Sequence, residues 1–349
     1  MDPLTHGLAG AAAAQSVSSE KKHRPAAFTA FFAALLPDLE TFIHHPSDPL
    51  FNIEIHRQFT HAFLFIPVGA LITAALLWWL MRNYLSFREL FFFSLLGFAS
   101  HGLLDAVTSY GTELLWPFSD TRFAWNLLPI VDPLLTSVMA VLVAASWYFR
   151  RQVFAWAFLG WLLLYLMAGF VQRERGTAAM EKVAESRNHP VERMVVKPTI
   201  GNLVLWRSTY LSRDTVHVDA VRSGLFSSSQ VYPGKSTPLI RPEYDYSHMK
   251  SSTLYGDLLR FQRFSDGYLI RHPEKETIIG DARYSMVPND LIPLWGIEAD
   301  TSQPDRHVPF LYFRDSSKEV REAFLDMLMG RSSGVSAEQK LPKQNRESD

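Results

Sequence analysis

Residues 62–81 (AFLFIPVGALITAALLWWLM) and 152–171 (QVFAWAFLGWLLLYLMAGFV) are uninterrupted apolar runs. Each has the about 20 residues a helix needs to cross the hydrocarbon core of a bilayer. They exclude a uniformly water-soluble globule. Residues 133–149 make a third span, entered through Asp132-Pro133, a pair suited to a helix start. Residues 90–104 make a fourth if the helix continues past Asp105, and the short apolar stretch 25–37 a fifth. Residues 4–17 (LTHGLAGAAAAQSV) are small and mildly apolar. They lack the basic start of a secretory signal, since Asp2 is the only charge before Glu20. They read as a short helix inside the bundle, with Ala and Gly permitting close contact. The expected fold is an α-helical integral membrane bundle of about five to six membrane segments over residues 1–172. A soluble, strand-rich mixed α+β domain is expected to follow over residues 173–330.

Composition supports that division. Residues 1–172 hold 20 charged side chains, against 49 in residues 173–349. In the second half, 177–188 reads as a helix and 316–328 as a closing helix. Between them lie short alternating stretches such as VERMVVKPT, NLVLWRSTYL and TVHVDAVRSGLF, bounded by Gly, Pro, Ser and Asp, which read as antiparallel strands. From Arg331 the chain is polar, and 331–349 is expected to be a disordered tail. The net charge of −1 argues against nucleic acid held by bulk charge. The absence of cysteine excludes disulfides, Cys-ligated zinc, iron–sulfur clusters and a thiol nucleophile.

Basic residues orient the spans. Lys21, Lys22 and Arg24, then Arg82 and Arg88, then Arg150 and Arg151 lie in connections on one side, while the opposite loops carry only Arg57 and Arg122. The basic side is expected to be cytoplasmic, placing both termini outside.

The apolar half also holds polar groups that hydrocarbon disfavours: His6, Asp38, Glu40, His56, Arg57, His61, His101 and Asp105. Such residues cost a few kcal/mol each and usually face a cavity or a site (about 2.5–3.5 for Asp on insertion scales). His101 and Asp105 are four apart and share a helix face. In the expected topology His6, Asp38, His61, His101 and Asp105 gather from four segments at the outer membrane face. His and Asp suit zinc first, with manganese or iron as alternatives. Each residue also has a plainer role. Asp38 after Pro37 suits a helix end or cap. Asp105 can pair with Arg57 or Arg122. Asp132 reads as an N-cap rather than a ligand, and His44 and His45 as interfacial.

The motifs DPLTHG, LPDLE, HRQFTHA and HGLLDAVTSYG resemble the YdjM-like family of bacterial inner-membrane, metal-dependent hydrolases. The resemblance covers roughly residues 1–172. That family is distantly similar to zinc-dependent phospholipases C and single-strand nucleases. The similarity implies that Asp38, His61, His101 and Asp105 hold one metal and that Asp105 bridges to a second, shared with His6. The further ligands of those enzymes are missing here, because no His lies between 102 and 188. One or two ions are therefore expected.

The expected activity is metal-dependent hydrolysis through an activated water, on a phosphoester or lipid-type bond. Arg57 would stabilise developing phosphate charge, with a snorkelling interface residue as its other reading. His56 would be a further ligand or a general acid. Thr5 and Thr60 would be hydrogen-bonding supports of the adjacent His residues. Membrane lipids are the expected surroundings, a lipid or phosphoester the expected substrate, and the active site and C-terminal domain are expected outside the cytoplasm. The alternative is a transport or ion-handling protein using the same His/Asp cluster.

Overall fold

A computed structural model describes residues 1–224 and 227–331. The expected tail, 331–349, lies outside the described residues apart from Arg331. The first half is helical: α1 (Pro3–Val17), α2 (His23–Ala33), the short α3 (Phe51–Ile55), α4 (Ile66–Met81), α5 (Phe87–Ala106), α6 (Pro133–Phe149) and α7 (Gln152–Ser186). Local chemistry sets several starts. Asp2 caps α1, accepting from the Thr5 amide at 3.0 Å. Ser86 and Glu89 form a reciprocal capping box on α5. Asp132 caps α6 through the Leu135 amide at 3.1 Å.

Helix α1 is the centre of the bundle and packs on α2, α5, α6 and α7. Its face-independent burial follows from small side chains all round. Small residues also let α2 and α5 touch backbone to backbone: a Cβ on Gly97 would stand 2.2 Å from the Ala30 carbonyl oxygen.

Two helices are long and apolar enough to cross a membrane, Phe63–Met81 and Gln152–Ser186. Among the described residues the other expected segments fall short of that standard, and the reasons are local. Helix α1 has 15 residues and α6 has 17. Helix α2 stops at Ala33, before a 3-10 turn over Leu36–Phe42. Helix α5 carries Arg88, Glu89 and Asp105. The outward faces of α4 and α7 remain apolar, with Trp79 77% exposed and Leu164 62% exposed.

The two ends of the bundle differ. Arg24 donates to the Trp147 carbonyl, Lys22 pairs with Glu89, and Gln152 donates to the Ser18 carbonyl. This gathers the basic connections at one end. Residues 34–40, 56–61 and 101–113 meet at the other.

The expected separate helix at 177–188 is instead the second part of α7, which runs unbroken to Ser186 and through residue 172. No Gly-Pro or Asp cap interrupts it, and the polar stretch emerging from the apolar run keeps its helical hydrogen bonds. The C-terminal strands are β1 (Arg193–Pro198), β2 (Leu205–Ser212), β3 (Thr215–Ser223), β4 (Ser229–Tyr232) and β5 (Ser236–Pro238). They form one antiparallel sheet in the order β1-β2-β3-β4, with β5 also on β3. Helices α8 (Pro242–Asp245) and α9 (Thr253–Phe264) follow. A second antiparallel sheet comprises β6 (Leu269–His272), β7 (Lys275–Asp281), β8 (Trp295–Glu298) and β9 (Phe310–Tyr312), before α10 (Lys318–Met329). Strand β2 is buried at every position. Trp206 and Tyr210 pack with Met180 and Ala184 of α7, and Leu211 with Tyr268 and with Ile270 of the second sheet's β6 (Leu269–His272), which Tyr268 precedes.

The C-terminal domain sits on the end of the bundle opposite the basic connections. Leu50 and Ile53 join the core formed by Phe261, Leu269 and Trp295. The Tyr284 hydroxyl donates to the Ser109 carbonyl at 2.5 Å.

Candidate metal centre

Four chain segments converge where α2 and α5 end. The last carbonyls of a helix lack intrahelical partners. One of them, Ala34 O, accepts from His101 Nδ1 at 2.6 Å. A carbonyl only accepts, so Nδ1 carries the proton and Nε2 of the neutral ring is a free lone pair. One helical turn on, Asp105 lies on the same face of α5. The 3-10 turn after α2 presents Asp38 and Glu40.

His61 is fixed the same way by a different route. Its Nδ1 lies 3.0 Å from Thr60 Oγ1, and that hydroxyl donates its single proton to Glu40 Oε2. The hydroxyl can then only accept from Nδ1, so in the neutral ring the lone pair is on His61 Nε2. A Cβ on Gly102 would stand 2.6 Å from the His61 carbonyl oxygen, so the absence of a side chain there lets the His61 segment reach α5.

The freed atoms face each other. His61 Nε2 and His101 Nε2 are 3.0 Å apart. Asp105 Oδ2 lies 3.2 Å from the first and 3.5 Å from the second. Asp38 Oδ1 lies 3.7 and 3.4 Å from the same two atoms. Ligands about 2.0–2.2 Å from a tetrahedral ion stand about 3.3–3.6 Å from one another. The observed edges straddle that range, and all four donor atoms lie within 4.8 Å of one another. Asp105 Oδ2 is buried and accepts no hydrogen bond among the described residues. Two facing lone pairs and an orphaned carboxylate oxygen are what a divalent cation would satisfy, so these four residues fit one.

The other expected residues are close but differently engaged. The His6 ring stacks on His101 at 3.6 Å and its Nε2 meets Asp105 Oδ1 at 3.1 Å. The same Oδ1 receives the Met1 amine and, at 3.1 Å, Arg57 Nη2. The Arg57 guanidinium therefore stands on the oxygen that the resemblance would have bridge to a second ion. His6 supports Asp105 rather than joining the four donors. Arg57 also donates to Thr108 Oγ1 at 3.0 Å and lies over the Tyr110 ring at 5.0 Å. Its φ of +63° is unusual for a residue with a side chain. Glu40 accepts its amide, and its carbonyl accepts from Glu113 at 2.9 Å. His56 Nδ1 is 3.3 Å from Glu40 Oε1, behind the donor set. Thr5 binds Asp2 and Thr136 instead of supporting His6. Asp132 is the α6 cap and accepts from Tyr165 at 2.7 Å.

Sequence reasoning missed Glu40 as the shared support of Arg57, Thr60 and His61. Its signal was its place two residues after Asp38, in the same turn. It also missed a second acidic group, Asp48, Asp257 and His307. That group already holds a cation: Arg260 donates to Asp48 at 2.8 Å, to Glu54 at 2.6 Å and to Asp257 at 2.8 Å.

The family described as YdjM inner membrane protein matches residues 1–176, half of the chain and all of the donor set. The chain belongs to the YdjM inner membrane protein family. One relative, the uncharacterized protein YfhP of Bacillus subtilis (strain 168), is 25% identical over 164 residues. That alignment covers 47% of this chain and 49% of YfhP, so the chain spans about half the length of the curated relative it matches. No solved structure matches. The YdjM match ends inside α7, so the two sheets lie beyond it.

Proposed function

We propose that this YdjM-family chain is a multi-pass inner-membrane, metal-dependent hydrolase with one zinc ion held by Asp38, His61, His101 and Asp105. The observation that carries this reading is the pair of Nε2 lone pairs facing each other 3.0 Å apart beside the orphaned Asp105 Oδ2. A divalent cation there supplies Lewis acidity and lowers the pKa of water toward about 7. The rest of the work falls to side chains. Ala34 and the Thr60–Glu40 relay hold the two imidazoles in their binding tautomers. Arg57, fixed by Asp105 and Thr108, holds positive charge beside the donors, where it would orient and stabilise an anionic phosphoryl group. A phosphoester or lipid-type bond is the substrate that suits this charge at a membrane surface. The metal end and the C-terminal domain face away from the cytoplasm in this proposal, because the basic residues gather at the opposite end.

The test is metal content of the detergent-purified full chain beside a His101→Ala/Asp105→Ala variant. About one zinc per chain, absent from the folded variant, together with hydrolysis of a phosphodiester or phospholipid panel that the variant lacks, supports the reading. Absence of metal after reconstitution with zinc, manganese and iron sinks it and returns the weight to ion handling.

A further inference from the structure

The C-terminal domain meets the bundle along residues 109–131, and two cavities open on that seam. One, of about 400 Å³, is mixed in character, with Arg122, Arg263 and Arg283 in its wall beside Asp120 and Asp266. The other, of about 210 Å³, is walled chiefly by apolar groups, including Ile130, Ile200, Met286, Leu294 and Phe324. Ser109, Lys197 and Arg283 line both.

Lys197 stands at the junction. It comes from β1 and is only 4% exposed. Its ammonium donates to the Ser109 carbonyl at 3.3 Å and lies 3.6 Å from the centre of the Tyr284 ring. Among the arginines around it, Arg283 pairs with Asp281 at 2.7 Å, Arg122 with Glu113 at 3.3 Å and Arg263 with Asp120, while Arg207 donates to the Ala282 carbonyl at 2.7 Å and the Pro288 carbonyl at 2.8 Å. Lys197 makes no ion pair among the described residues, and the Asp281 and Asp266 charges act on it only from farther off. Burial holds its pKa well below the usual lysine range, and the Arg283 charge pushes the same way. Burial thus drives the amine toward its neutral form; charged, it has three protons to place, and a carbonyl and a ring face do not neutralise it. An anion entering from the larger cavity would.

The apolar cavity supplies the second half of the recognition. Its wall includes Ile130 and Ile200, and the Gly201 amide donates to the Val131 carbonyl at 2.9 Å. These residues flank Asp132 and Pro133, where α6 begins. The cavity therefore lies at the mouth of an apolar helix, next to the charged junction.

We propose that this seam binds an anionic amphiphile, with a phosphate-type head at Lys197 and an apolar tail in the cavity bounded by Phe324 and Leu294. Charge complementarity selects the head and the apolar wall selects the tail. The site is separate from the four metal donors and needs no hydrolysis.

The test is calorimetric titration of the detergent-purified full chain with dodecyl phosphate, inorganic phosphate and dodecyltrimethylammonium. Dodecyl phosphate should bind at least about 30-fold more tightly than either of the others. Lys197→Met should weaken it about 10-fold or more, and Lys197→Arg should keep it within about threefold. Ser285→Trp, which fills the apolar cavity, should weaken dodecyl phosphate and leave inorganic phosphate unchanged. Chelator treatment should change none of these values, which separates failure of this site from failure of the metal reading. Equal binding by Lys197→Met at an unchanged melting temperature overturns the proposal. So does equal affinity for inorganic phosphate, which would mark a free-anion site, or for the cationic amphiphile.

Discussion

His61 and His101 turn their Nε2 atoms toward each other at 3.0 Å, while each Nδ1 is committed to an oxygen on the opposite side. In the neutral rings those tautomers leave one lone pair on each Nε2. The arrangement is set by partners on the far side of each ring from its donor atom, and this makes the partners testable.

Glu40 is the first of these. Glu40→Gln should weaken zinc affinity about 10–100-fold, the usual effect of losing the group behind a ligating histidine. Thr60→Val should act in the same direction, since its hydroxyl relays the contact. Competition with a zinc chelator measures both. Native affinity in both folded variants would show that the relay does not set the His61 tautomer.

Gly102 tests the approach of the His61 segment. Gly102→Val adds a Cβ 2.6 Å from the His61 carbonyl oxygen. The expected result is loss of bound metal with the helical circular dichroism retained. Gly160→Val is the control, because nothing lies within 4 Å of its would-be Cβ.

Asp132 separates helix capping from metal binding. Asp132→Ala removes the α6 cap, worth about 1 kcal/mol, and leaves the Tyr165 hydroxyl unpaired, at about 1–3 kcal/mol more. Thermal denaturation should show the loss, and metal content should not change. Adding Tyr165→Phe should recover part of the stability. Full additivity of the two substitutions would show that the hydrogen bond contributes nothing.

The pH dependence of domain docking follows from Asp48. Burial would raise its pKa, but hydrogen bonding to Arg260 and the Arg260 charge outweigh that and hold it below the ordinary 3.8. A depressed carboxylate pKa contributes stability that is full above the ordinary value and is lost as the pH falls through the folded one. Hydrogen exchange of residues 48–55, corrected for intrinsic rates, should speed up between about pH 5 and pH 3. Arg260→Met should abolish the step, and a step that survives in that variant would assign it to another group.

Orientation is measurable because the chain has no cysteine of its own. Glu274→Cys and Lys21→Cys each place one thiol at an exposed position. A membrane-impermeant maleimide should label Glu274→Cys in intact spheroplasts and Lys21→Cys only after permeabilisation. The reverse pattern would invert the proposed topology.

Much of the metal centre is legible in the sequence because its elements are local. The i, i+4 spacing of His101 and Asp105 needs only a helix, and a burst of acids after LLP needs only a helix end. Arg57 is less legible: its left-handed backbone is held by Glu40 and Glu113, from other segments. The unbroken course of α7 was hidden by a change in composition, not in conformation. The short strands β8 and β9 carry too few residues to show an alternation. Lys197 reads as an ordinary solvent-facing position in an alternating strand, and only the bundle packed against it makes it buried.

Helix α7 gives the molecule a rigid lever. Its 35 residues make a rod about 52 Å long, at 1.5 Å per residue. Its first half presents an apolar surface, and its second half is the platform for β1, β2 and β3. No break separates the two, so the C-terminal domain inherits the tilt of the apolar half of the helix. A tilt change of about 10° would sweep the far end through about 9 Å. Whatever sets the tilt of α7, its packing against neighbouring helices included, is thus passed directly to the C-terminal domain.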